Sequence, residues 1–206
     1  NYTVELRPEV ALPTFAINVT HPDPEKREIF GDLRFRQAMS VAINRDEIND
    51  VAYFNLGEPK QYVSFSPAPD FVDPKWLKYY AEFNQDLANK LLDEIGLVDQ
   101  DGDGFRDLPS GNKLVINLQF ATQGVPVEIV ELVAQHWTDV GVQTTSKEVT
   151  SDEYRGAQSS NQLDVMMWRK SQPLAIVLGS PEIFLPPFES YFWLRNGMLW
   201  AEYIDS

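Results

Sequence analysis

Residues 96–111 read GLVDQDGDGFRDLPSG and place Asp99, Asp101, Asp103 and Asp107 around Gly102 and Gly104. Alternating carboxylates in a loop suit a hard divalent cation. Calcium takes about six to eight oxygens, and a helix–loop–helix calcium hand supplies them from loop positions 1, 3, 5, 7, 9 and 12. Counting from Asp99 puts Asp101 third, Asp103 fifth, the Phe105 carbonyl seventh and Asp107 ninth. The twelfth position is Ser110, where a bidentate glutamate would stand, and the segment beyond it alternates as a strand. Two readings stay open. In one, Asp99, Asp101, Asp103, Phe105 and Asp107 hold a structural calcium ion. In the other, the aspartates fold onto their own backbone and the glycines supply positive φ. Repulsion among three alternating carboxylates calls for a cation or open solvent. A single loop without a second helix cannot open and close as a sensor pair, so its expected role is to brace the connection between helix and strand.

The elements on either side must hold that loop. Before it, NQDLANKLLDEIGL predicts a helix with Asn84 as N-cap and Asp86 in the first turn, where the dipole favours an acid. Leu87, Leu91 and Ile95 mark its inner face, and Gly96 stands where a helix ends in left-handed angles, with Leu97 closing onto Leu92. After it, Leu114, Ile116, Leu118 and Phe120 alternate with Asn117 and Gln119 as a strand. VPVEIVELVAQHWTDVGV then predicts a helix with Val127, Val130, Val133 or Ala134, Trp137 and Val140 on one stripe, ended by Gly141 and Val142. VQTTSKEVT completes a strand–helix–strand unit, expected to be right-handed with parallel strands.

Elsewhere, LPTFAINVT reads as a strand and HPDPEKREIFGD as a charged, proline-rich loop. A long helix is expected from Asp32 through LRFRQAMSVAINRDEINDVAYF. Residues 57–74 read as extended and irregular, and PKWLKYYAEF as a short aromatic helix. SDEYRGAQSSN predicts a short capped helix and LDVMMWR a third strand. Residues 171–206 lose periodicity and form an irregular tail rich in aromatics and proline.

Composition narrows the function classes. The chain has 206 residues, 43% of them hydrophobic, which is enough for one sizeable core. Seventeen bases against thirty-one acids leave a net charge of −14, which repels polyphosphate and excludes nucleic acid as a partner. Cysteine is absent, so disulfides and thiolate sites are excluded, while the compartment stays open. No apolar run reaches the roughly 18 residues of a membrane span. His21 and His136 are distant in sequence, and His136 is expected at the surface. With no histidine pair at ligand spacing and no Gly-x-Ser-x-Gly elbow, no enzyme is expected.

Four motifs in order carry a resemblance. FGDLRFRQAMSVAINRDEINDVAYFNLGEP holds Asp32, Arg34, Arg36 and Ala38, then Ala42, Ile43, Asn44 and Arg45. Ala88 to Gly96 supply an A-x-x-LLDE-x-G stretch, Asp99 to Arg106 a D-x-DGDG-x-R stretch, and Gln135, Trp137, Gly141 and Val142 a helix end. Over residues 12–170 this resembles the second lobe of family 5 extracellular solute-binding proteins, the binding components of peptide-type ABC importers.

The resemblance implies an α/β fold, one lobe of a type II periplasmic-binding-protein-like architecture with a mixed sheet flanked by helices. It implies that residues 1–206 are the second, C-terminal lobe, an excised piece whose first lobe lies outside this sequence. The implied partners are a peptide or other small polar ligand, the first lobe and an ABC permease. The implied location is extracytoplasmic, in the periplasm or at the cell surface, with a lipid anchor on the full-length protein. No cofactor is required, and a structural calcium ion is one of the two readings of the acidic loop given above. The ligand site is expected at Met167, Trp168, Arg169 and Ser171. Trp168 fits the family's aromatic position, whereas Ser171 or a neighbour replaces the aspartate that takes a peptide's amino terminus. With Arg169 and Lys170 nearby, an anionic, blocked or carbohydrate-like ligand is favoured. The rival expectation is a calcium-dependent extracellular interaction module centred on Asp99–Asp107.

Overall fold

The computed structural model describes residues 13–61 and 70–169. In chain order these form β1 (Pro13–Ile17), α1 (Pro24–Gly31), α2 (Leu33–Val41) and α3 (Arg45–Tyr53). A 3-10 turn (Pro74–Leu77) and α4 (Gln85–Glu94) follow. Then come β2 (Val115–Phe120), α5 (Val127–Asp139), β3 (Gln143–Glu148), α6 (Ser151–Ser159) and β4 (Val165–Arg169). The class is α/β, and the strands form two ladders of two. β2 and β3 run parallel with Val115 opposite Gln143. β1 and β4 run antiparallel with Ile17 opposite Val165.

The expected strand–helix–strand unit is present, with α5 as the crossover. Leu114, Ile116 and Leu118 are fully buried, Phe120 nearly so, and Asn117 is exposed. The two-residue period of a pleated strand puts these groups on opposite faces. Val130, Val133 and Trp137 of α5 enter the same core. The Trp137 indole Nε1 donates to the Met39 carbonyl at 2.9 Å, which ties α5 to α2.

α4 and α5 end alike. Gly96 and Gly141 take φ of 80° and 81°, a region open to residues without a Cβ. The Leu97 amide then reaches Leu92 O at 3.1 Å and the Val142 amide reaches Trp137 O at 3.0 Å. This six-to-one closure satisfies end carbonyls and turns an apolar residue inward. Leu97 and Val142 are both fully buried.

The expected single helix from Asp32 is instead divided, and it is preceded by a helix where a loop is expected. Asp23 caps α1 by accepting from the amides of Glu25 at 2.9 Å and Lys26 at 3.2 Å. Pro24 sits at its first position, where the missing N–H has no partner to lose. Asp32 has extended angles, φ −69° and ψ 127°, and serves as C-cap of α1 and N-cap of α2. Asn44 caps α3 by accepting from the Glu47 amide. Between α2 and α3 the Arg45 guanidinium donates to Ser40 O at 2.8 Å and to Ser40 Oγ at 2.9 Å, covering groups that the break exposes. The aromatic helix at 74–83 is reduced to its 3-10 turn, and Tyr80 adopts φ 52°. Of the expected irregular segment 57–74, residues 62–69 lie outside the described residues.

Candidate functional site

β4 places the expected ligand residues on different faces. Val165 and Met167 enter the main core, whereas Met166 joins a smaller cluster with Ala121, Tyr154 and Leu163, against which Trp168 packs. Met167 is only 1% exposed, so its expected role as a ligand contact is corrected to core packing. Its main chain is fixed from both sides: its amide donates to the Tyr154 hydroxyl at 2.8 Å, and that hydroxyl donates to its carbonyl at 2.8 Å.

Trp168 is half-buried. Its ring lies 5.7 Å from the Tyr154 ring at 32°. Its carbonyl accepts from Thr14 Oγ1 of β1 at 2.8 Å. The indole also passes over Gly124, where an added Cβ would stand 2.6 Å from its Cε3 atom. Arg169 closes β4 with its backbone opposite Pro13. Ser171 and the whole 171–206 tail lie outside the described residues.

Asp164 anchors the start of this strand. It is 4% exposed, and its carboxylate accepts from Lys26 Nζ at 2.9 Å and from the Asn117 amide at 2.8 Å. His21 Nε2 lies 3.1 Å away. His21 Nδ1 accepts from the Asp23 amide, so its proton sits on Nε2 and points at the carboxylate. Burial pushes the Asp164 carboxyl up, but donation from His21, Lys26 and the Asn117 amide outweighs it and holds the group below its ordinary value.

His136 is also buried, at 4% exposure, which corrects its expected surface position. Its Nδ1 accepts from the Asn44 amide and its Nε2 lies 2.8 Å from Glu47 Oε2. α3 and its cap cover the side of α5 that the pattern alone leaves polar. Both histidines are therefore held in contacts that join elements.

The acidic loop divides its aspartates. Asp99 accepts from the amides of Gly102 at 2.7 Å and Gly104 at 2.9 Å. Asp103 accepts from the Phe105 amide and pairs closely with Lys113 Nζ. Carboxylate oxygens of Asp99, Asp101 and Asp107 lie within 4.8 Å of one another; Asp103 is not in this group. Arg106 leaves the cluster. Its Nε donates to Val140 O at 2.8 Å, and its other nitrogens reach Leu97 O, Asp93 and Asn89. One side chain thus joins the ends of α4 and α5.

A cavity of about 1090 Å³ opens beside β1, between α2, α3 and α5. Phe15, Met39, Ile43, Tyr53 and Trp137 give it an apolar wall, and Arg36 and Arg45 also line it. No local pattern marks it, because its wall is assembled from three separated segments, 13–19, 36–61 and 129–137.

Residues 1–186 match the family model described as bacterial extracellular solute-binding proteins, family 5 Middle. A probable ABC transporter-binding protein of Deinococcus radiodurans is 40% identical over 94 residues, covering 45% of this chain and 15% of that protein. The oligopeptide-binding protein AppA of Bacillus subtilis is 30% identical over 129 residues, covering 60% of this chain and 22% of that protein. A solved oligopeptide-binding protein OppA superposes with a TM-score of 0.83 at 35% identity, over 94% of this chain and 30% of that one. The chain therefore spans under a third of the length of these relatives. With the two glycine-ended helices, the Asp–Gly loop and β4 arranged in the order of the family motifs, the chain belongs to the family 5 bacterial extracellular solute-binding proteins.

Proposed function

We propose that this chain is the second lobe of a binding component that captures a peptide or related small polar solute for an ABC importer. The observation that carries this reading is Trp168, half-buried near the C-terminal end of β4 and held by Tyr154 and the cleared space at Gly124. A rigid aromatic face beside a few polar groups is a common way to seat a ligand in a cleft. The oligopeptide-binding names of the relatives AppA and OppA support a peptide-like solute. Arg169, Lys170 and Ser171, in place of an acidic partner for a free amine, favour a ligand that is anionic, blocked or carbohydrate-like.

The first lobe closes over the ligand about a hinge, and the closed form is what the membrane permease receives. No bond is made or broken. The protein works outside the cytoplasm, at the cell surface or in the periplasm, held by a lipid anchor. No helix among the described residues is long and apolar enough to cross a membrane.

Native mass spectrometry of the full-length protein identifies the retained solute, and calorimetry then measures it against Trp168→Ala and Trp168→Phe. Loss of an aromatic platform costs about tenfold or more in affinity, and the phenylalanine variant recovers part of it. Equal affinity in all three proteins would remove Trp168 from the site. Absence of any solute and of any response to peptides would sink the binding reading itself.

A further inference from the structure

We propose that the loop between α4 and β2 is a calcium site whose side-chain ligands are the carboxylates of Asp99, Asp101 and Asp107. Their oxygens lie within 4.8 Å of one another. Oxygens bound to one calcium at about 2.3–2.6 Å can be no further apart than about twice that length, so the three span one ion's shell. Magnesium demands a strict octahedron at about 2.0–2.1 Å and gives up its water reluctantly, so a loop offering three carboxylates favours calcium.

Asp107 is the observation that separates this loop from a solvated acidic turn. It is 1% exposed. Its Oδ2 accepts from the Gln100 amide at 2.8 Å, while its Oδ1 is sealed from solvent with no hydrogen-bond partner among the described residues. A carboxylate oxygen stripped of water and left without a donor is costly, and a cation at the cluster that this carboxylate borders removes the cost. Charge balance points the same way. The loop holds four carboxylates, its own arginine is turned toward α4 and α5, and the ammonium of Lys113 pairs with Asp103 and stands 3.5 Å from Asp101.

Lys113 sets the strength of the site. It draws Asp103 away, so Asp103 is excluded from the ligands, and it competes with the ion for Asp101. Three carboxylates, with main-chain oxygens and water completing the shell, place the affinity in the weak extracellular class, about 10⁻⁴–10⁻³ M. The ion braces the connection from α4 to β2 and makes no contact with Trp168 necessary, so this proposal stands apart from solute binding.

The test is calorimetric titration of calcium chloride, and separately magnesium chloride, into the EDTA-treated intact chain, with thermal melting in parallel. One calcium binds the unaltered chain at sub-millimolar to millimolar concentration, raises Tm by mass action, and is not matched by magnesium. Asp107→Asn and Asp101→Asn each weaken binding about tenfold or more, and Lys113→Gln tightens it several-fold by removing the competing charge. Asp101 is solvent-facing, so its variant keeps the test valid if the Asp107 variant fails to fold. The proposal is overturned if neither the unaltered chain nor Lys113→Gln responds to about 10 mM calcium, a concentration well above the weak class. It is equally overturned if magnesium gives the same response or if Asp101→Asn binds calcium unchanged.

Discussion

Trp168 lies directly over Gly124, close enough that a Cβ at position 124 would meet the indole at 2.6 Å and 2.8 Å. The absence of a side chain at the turn before α5 therefore helps to set where the aromatic face of β4 can sit. The Gly124 amide closes that turn by donating to Ala121 O at 2.7 Å.

Gly124→Ala should force the indole aside. Overpacking of this kind costs about 1–3 kcal/mol. The expected result is a lower urea midpoint together with a changed near-ultraviolet circular dichroism spectrum, as the Trp168–Tyr154 pair separates. An unaltered spectrum at unaltered stability would show that the ring does not depend on this contact.

Arg106→Met should destabilise the chain by about 2–4 kcal/mol, because carbonyls at two helix ends lose a charged donor in a part-buried place. The flexible methionine keeps much of the packing of the side-chain stem. Chemical denaturation measures the loss, and Arg106→Lys, with one donor group in place of a fork, should recover only part of it. Full recovery by lysine would mean that charge alone matters there.

Asp164 predicts a pH dependence with a definite sign. Its folded carboxyl is held below the ordinary value, so its stabilising contribution is present above the unfolded pKa of about 3.9 and is lost as pH falls through the lower folded value. Asp164→Asn should therefore flatten the loss of stability below about pH 4. At pH 7 the same change should cost about 3–5 kcal/mol, since Lys26 keeps a part-buried charge without its partner. Urea midpoints across pH 3 to 7 for both proteins decide this, and parallel curves would assign the acid sensitivity elsewhere.

Short-range pattern carried much of this architecture. The two-residue period from Leu114 to Phe120, the helical stripe through Val130, Val133 and Trp137, and the Gly96 and Gly141 ends each depend on neighbours a few residues away. They are legible because backbone geometry repeats locally. The start of α1 at Asp23-Pro24 was also written in local terms, as cap and first-turn proline, but the surrounding charge and prolines suggested a loop.

The site was less legible. Strand alternation implies that Met167 and Trp168 point to opposite sides, yet which side meets the main core depends on β1 pairing with β4 across the whole chain. His136 is buried because Asn44 and Glu47 arrive from another helix. Among the aspartates, spacing treats Asp103 and Asp107 alike, but Lys113 takes one and burial isolates the other. The sequence by itself determined the α/β class, the strand–helix–strand unit and the family motifs, because these follow from local periodicity and turn chemistry. Tertiary structure alone decided which core each residue of β4 joins, that both histidines are enclosed and which carboxylates converge. Those outcomes depend on burial and on partners distant in sequence, and they have no local period to read.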